Sequence, residues 1–162
     1  VEPKQKQRTL SPRSAARLAA VQALYQMDLA QTDVNAVIAE FTLHRLGQEI
    51  DGAFYDAGAQ PFFKDIVTGV VREQRRIDPL LNEHLAEGWR LGRIDSILRA
   101  ILRAAAYELI GRPEVPVKVI INEYLNVAHA FFEGEEPGVV NGVLDRVARK
   151  VRTRELNGQA AN

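Results

Sequence analysis

Apolar side chains recur every three to four positions along most of the chain, so helical periodicity is the dominant signal. Leu18, Val21, Tyr25 and Leu29 share one stripe, and Ala16, Ala20, Leu24 and Met27 widen it around most of the circumference. A helix of that kind belongs in the middle of a bundle. Ser11 supplies a hydroxyl cap and Pro12 a first-turn proline whose missing N–H costs nothing there, so this helix is predicted to run to about Ala30. Asp33 caps a second helix with Val34, Val37, Ile38 and Phe41 on its core face, ending near Gly47. Residues 47–60 hold three glycines and no periodicity, and are predicted as a loop. Pro61 opens a helix carrying Phe62, Phe63, Ile66, Val67 and Val70, followed by the polar run REQRR. Asp78 and Pro79 repeat the cap-plus-proline signal and predict a separate short helix, PLLNEHLAEG. Asp95 caps the next, which runs through Ile110 and stops at Gly111. Pro113 and Pro116 frame a tight connection to a helix from Val117 to Phe132. After GEEPG, a last helix covers about Val139 to Val151.

Seven helical segments with short links and no alternating strand pattern predict an all-α protein. Residues 1–10 are polar, basic and without periodicity, and read as a flexible arm; residues 11–152 form the helical domain, and 153–162 should fray.

Net charge is zero over 162 residues, which gives no overall pull towards a polyanion. The distribution is less even. Residues 1–17 hold Lys4, Lys6, Arg8, Arg13 and Arg17 against Glu2 alone, residues 28–60 hold six carboxylates against Arg45, and the tail RVARKVRTR is basic again. A localised basic surface with an acidic flank follows. The absence of cysteine excludes disulfides and thiolate zinc sites. No apolar run approaches the length of a membrane span, and no apolar stretch follows the basic N-terminus as in a secretory signal, so no membrane role and a cytoplasmic location are expected. His44, His84 and His129 lack any ligand-pair spacing, and the three serines, Ser11, Ser14 and Ser96, lie outside any GxSxG turn. Glycine-rich phosphate loops are missing. No metal, cofactor or catalytic residue is therefore assigned, and a binding protein is expected instead of an enzyme.

Three stretches are more specific: RLAAVQALYQMDL at 17–29, LRAILRAAAYELIGRPEVPVKVIINEYLNVAHAF at 98–131, and VVNGVLDRVAR at 139–149. In this order and spacing they resemble the NusB family of bacterial transcription antitermination factors. The resemblance implies two small packed helical bundles, here about 11–76 and 77–152. It also implies binding of boxA-type single-stranded RNA together with the small-subunit ribosomal protein NusE, within the transcription elongation complex on ribosomal RNA operons. Some members of the family associate as dimers, so a homodimer is a further association it allows. The family's arginine-rich first helix maps onto Arg13 and Arg17. Ser14, Ala15 and Ala16 stand where relatives often carry further arginines, and Lys4, Lys6 and Arg8 of the arm would supply that charge. The family's partner surface lies near the position of Tyr25. Two other readings share the pattern: the RNA-binding module of a ribosomal RNA methyltransferase, and a protein-interaction or dimerisation module. The chain ends soon after NGVLDRVARK with no dinucleotide-type glycine motif, which favours a free-standing factor over the first.

The residues themselves support an anion site. Arg13 and Arg17 are four apart, hence one turn from each other on one face. They sit where a helix start offers unpaired N–H groups and a positive dipole end. Arginine adds planar, bidentate donors for phosphate oxygens. Lys118 follows Pro116 at another helix start, an unfavourable place for a cation unless an anion is near, and points to RNA or an acidic partner. Arg99, Arg103 and Glu108 occupy the polar side of an apolar helix, where ion pairs are the ordinary outcome. Arg103 is singled out as a bridge between lobes or a contact to a partner. Asn122 and Glu123 read as structural polar residues at the start of a buried helix.

Overall fold

The computed structural model describes residues 10–44, 49–50, 53–54 and 59–160. Its elements are α1 (Pro12–Ala30), α2 (Val34–His44), β1 (Glu49–Ile50), β2 (Ala53–Phe54), α3 (Gln60–His84), α4 (Ser96–Gly111), α5 (Val117–Phe131), α6 (Glu136–Val151) and α7 (Thr153–Ala160). The fold is all-α, with one minimal ladder inside the expected loop, where Glu49 faces Phe54 and Ile50 faces Ala53.

Local chemistry explains the helix starts. The Ser14 N–H donates to Ser11 Oγ at 3.2 Å, closing the α1 cap, and the N–H groups of Ile97 and Leu98 donate to Asp95 Oδ1 at 2.7 and 3.3 Å. α1 buries Ala15, Ala16, Ala19, Ala20 and Ala23 completely, and these small residues let it pack closely against α3 and α4. α4 is enclosed on nearly every side, by α1, α3, α5 and α6. Phe41 of α2 and Phe63 of α3 stack with centroids 5.5 Å apart, tying the second helix to the third.

Two expectations are corrected. Asp78–Pro79 does not open a new helix: α3 continues through Pro79 for 25 residues and crosses the expected boundary at 76/77. An interior proline removes one N–H from the ladder and costs about 3 kcal/mol. Against this, Ile77, Leu80 and Leu81 form a buried stripe on both sides of Pro79 that a break there would dismantle. The Asp78 carboxylate, expected as a cap, instead accepts from Nε and Nη2 along one edge of the Arg103 guanidinium, each at 2.9 Å. The residues after Val151 are the second correction. Thr153–Ala160 form helix α7, anchored by Arg152 and Glu155. Arg152 is buried and donates to the carbonyls of Leu109 (2.6 Å), Arg112 (2.8 Å), Val115 (3.0 Å) and Glu108 (3.2 Å). It thereby satisfies the open end of α4, where a cation also answers the helix dipole. The number of helices among the described residues agrees with expectation only because a merged pair and an added C-terminal helix offset each other.

Candidate nucleic-acid interface

The two arginines of α1 lie one turn apart but in different surroundings. Arg13 is exposed, with its guanidinium 4.6 Å from the ring centroid of Phe62 at the start of α3. Among the described residues no carboxylate lies within ion-pair distance of it. Arg17, one turn on, is 2% exposed. Its Nε and Nη2 each donate to Glu108 at 2.9 Å, and its Nη1 lies 3.7 Å from Glu123. The fully buried Tyr124 hydroxyl donates to the same Glu108 at 2.5 Å. Burial alone would pull the Arg17 guanidinium down, but the hydrogen bonds and charge of Glu108 outweigh it and hold Arg17 above the usual arginine value. Burial, followed by the adjoining Glu108 charge, pushes the Tyr124 phenol well up, so it stays a donor.

Arg17 as a surface phosphate contact is therefore corrected: it is an internal strut from α1 to α4 and α5. Spacing of four puts two side chains on one face, but it cannot say where along that face a neighbouring helix begins. Above the strut, Ser14 Oγ donates to Glu123 Oε2 at 2.8 Å, so the start of α1 is tied to α5 as well.

The other expected residues divide. Lys4, Lys6 and Arg8 lie outside the described residues. Lys118 is exposed on the first turn of α5, and a carboxylate of the chain caps that helix start. Glu155 accepts the Val117 N–H at 3.0 Å and also pairs with Arg152. Arg103 is committed to Asp78 and lies 3.9 Å from Asp28, while Arg99 also pairs with Asp28. Expected as a bridge between lobes or a contact to a partner, Arg103 has one guanidinium edge, Nε and Nη2, engaged by Asp78 within the chain, and its Nη1 faces Asp28. Tyr25 is half-buried and lines an open groove of about 450 Å³ with Val21, Leu29, Ile97 and Phe131. Leu29 is 60% and Phe131 39% exposed there, so α1, α4 and α5 leave an apolar strip to solvent.

Two residues escape the sequence pattern. The guanidinium of Arg112 lies 4.6 Å from the Phe62 centroid, and that of Arg72 lies 5.9 Å from the Tyr107 ring. Arg112 sits inside the quoted YELIGRPEVP block, but nothing in a linker arginine announces a shared ring with a helix 50 residues earlier. No cluster of side chains suited to a metal ion occurs among the described residues, and no described helix is long and apolar enough to cross a membrane.

A cationic start to α1, and an apolar groove along the other half of the same helix, give this all-α scaffold two surfaces suited to binding. The chain belongs to the NusB family, whose model matches residues 14–149. Curated relatives named transcription antitermination protein NusB include that of Rhodopseudomonas palustris, 55% identical over 145 residues, covering 90% of this chain and 86% of that protein. Another, from Rhizobium rhizogenes, is 55% identical over 145 residues, covering 90% and 91%. Among solved structures, the NusB of T. maritima superposes with a TM-score of 0.73 at 29% identity, covering 86% of this chain and 92% of that one. A structure described as antitermination factors NusB and NusE in complex with dsRNA superposes with a TM-score of 0.72 at 22% identity, covering 86% and 97%. The family is one of transcription antitermination factors, not of enzymes.

Proposed function

We propose that this chain is a cytoplasmic RNA-binding antitermination factor that takes boxA-type single-stranded RNA together with the small-subunit ribosomal protein NusE, promoting ribosomal RNA transcription in the elongation complex. The observation that carries the RNA reading is Arg13: a ring-supported guanidinium at a capped helix start, with no carboxylate partner among the described residues. Such a group offers its edge donors to phosphate oxygens at little ordering cost. The groove around Tyr25 suits the protein partner, because Leu29 and Phe131 present apolar area that a partner would withdraw from water. Family membership and the neighbouring complex of a NusB with NusE and RNA support both halves.

The test is an anisotropy titration of labelled boxA-like RNA, its scrambled form and a duplex, with and without NusE. Cognate single strand should bind best, and NusE should tighten it. Arg13→Ala should lower affinity and reduce the salt slope by about 0.7, the loss of one phosphate contact on a single strand. Tyr25→Ala should remove the NusE gain while leaving binding of RNA alone unchanged. Equal affinity for cognate and scrambled RNA, with no effect of NusE, would overturn the reading.

A further inference from the structure

Phe62 is 6% exposed, yet three guanidinium groups converge on it: Arg13 and Arg112 at 4.6 Å and Arg17 at 5.1 Å from the centroid. Arg13 and Arg112 share one centroid, so their Cζ atoms are at most about 9.2 Å apart, twice the common distance. Arg17 is neutralised from beneath by Glu108. Arg112 is held loosely. Its Nε lies 3.2 Å from Glu114 and 3.6 Å from Asp65, but neither Arg112 Nε nor the facing Asp65 Oδ2 makes a hydrogen bond among the described residues. The other oxygen of Asp65 accepts from the Tyr107 hydroxyl at 2.8 Å. Over the Tyr107 ring stands Arg72, whose side chain is 60% exposed and whose Nε reaches its neighbour Glu73 at 3.4 Å. Ten residues of α3 separate Phe62 from Arg72, about 15 Å at 1.5 Å per residue.

Cations brought together with too few hydrogen-bonded counter-ions repel one another, and an arriving polyanion relieves that repulsion. An aromatic ring attracts a guanidinium without using its N–H groups, so an arginine beside a ring can still offer Nη donors to phosphate oxygens. We propose that Arg112 and Arg72 continue the phosphate contact begun at Arg13, so that a single RNA strand runs from the first turn of α1 along the first half of α3. This rests on the RNA-binding reading above and enlarges its footprint to Arg112 and Arg72, to which the sequence pattern gave no RNA role.

The experiment uses the full chain and the labelled boxA-like single strand over a salt series, comparing Arg13→Ala, Arg72→Ala, Arg112→Ala and Arg112→Lys. Arg90→Ala, exposed in the loop after α3 and away from both rings, is the control. Arg72→Ala and Arg112→Ala should each weaken binding roughly threefold to tenfold and flatten the salt slope by about 0.7. Arg112→Lys should recover the slope but not the full affinity, since lysine keeps the charge and loses the fork. Arg90→Ala should bind as the unaltered chain does. If the unaltered chain binds no RNA, both readings fall. If Arg13→Ala weakens binding while Arg72→Ala and Arg112→Ala match the unaltered chain in affinity and slope, the track is wrong and the RNA reading stands. The track is equally wrong if those two variants impair only capture of an acidic protein. Should Arg112→Ala fail to fold by circular dichroism, the exposed Arg72 decides the matter alone.

Discussion

Replacing Arg17 by alanine separates its two possible roles by an order of magnitude in stability. On a solvated helix start the change would fall within about 0.5 kcal/mol. In the structure it strips Glu108, which is 0% exposed, of both guanidinium donors and leaves the Tyr124 hydroxyl as its remaining side-chain partner. Removing one member of a buried pair leaves the other charge uncompensated, a loss of about 3–5 kcal/mol. For a chain of this length each kcal/mol moves the midpoint about 2–4 °C, so the melting temperature should fall by roughly 6–20 °C. The companion variant Arg17→Met/Glu108→Met/Tyr124→Phe removes the charges and the hydroxyl together, and should recover most of that loss, since apolar replacement of a complete buried pair is often close to neutral. Thermal and urea melts followed by circular dichroism read the stability. Anisotropy titrations well below the melting temperature read RNA affinity, whose salt slope should match that of the unaltered chain. An Arg17→Ala midpoint within about 2 °C of the original, combined with a slope reduced by about 0.7, would refute the strut and restore Arg17 to the RNA surface.

Gly69→Ala improves intrinsic helix propensity by about 1 kcal/mol but should destabilise the protein. The new Cβ would stand 2.2–2.6 Å from three atoms of the Tyr107 ring, and that ring is 3% exposed and tethered through its hydroxyl to Asp65. A net loss of about 1–3 kcal/mol in a urea melt is expected, and a gain would mean the α3–α4 contact is looser than drawn. Glu155 carries a pH dependence. Burial would raise its pKa, but the Val117 N–H and the Arg152 guanidinium outweigh this, and the carboxyl lies below its ordinary value. The unfolded chain then binds the proton more readily. The stability Glu155 lends is present above the usual carboxylate range, near about pH 5, and is lost as pH falls through its folded value. Glu155→Gln should flatten the decline in melting temperature between about pH 5 and 3, and an unchanged decline would remove Glu155 from the docking of α7.

Hydrophobic period and cap chemistry are enough to place α1, α4 and α5 within a residue or so, because both are properties of neighbours in sequence. The same local signals mislead at Asp78–Pro79, where the carboxylate is claimed by Arg103 and the buried stripe carries α3 through. They also mislead at residues 153–160, where the polar run TRELNGQA shows no periodic face and the helix is anchored by Arg152 and Glu155 to the ends of α4 and α5. The Arg13 end of the proposed interface is legible as a basic helix start. Its Arg112 and Arg72 extension is not, because it exists only where Phe62 and Tyr107 bring three distant segments together.

From residue order alone came the helix type, most of the helix limits, the family resemblance and the position of a basic first turn. Only the packed structure decided which of two arginines one turn apart faces water, which carboxylates are already spoken for, and which rings gather cations from separate helices. The division is physical. Periodicity and capping act over three or four residues, whereas burial and charge pairing depend on what arrives from the other side of the core, as Glu108 reaches Arg17 across 91 positions of chain.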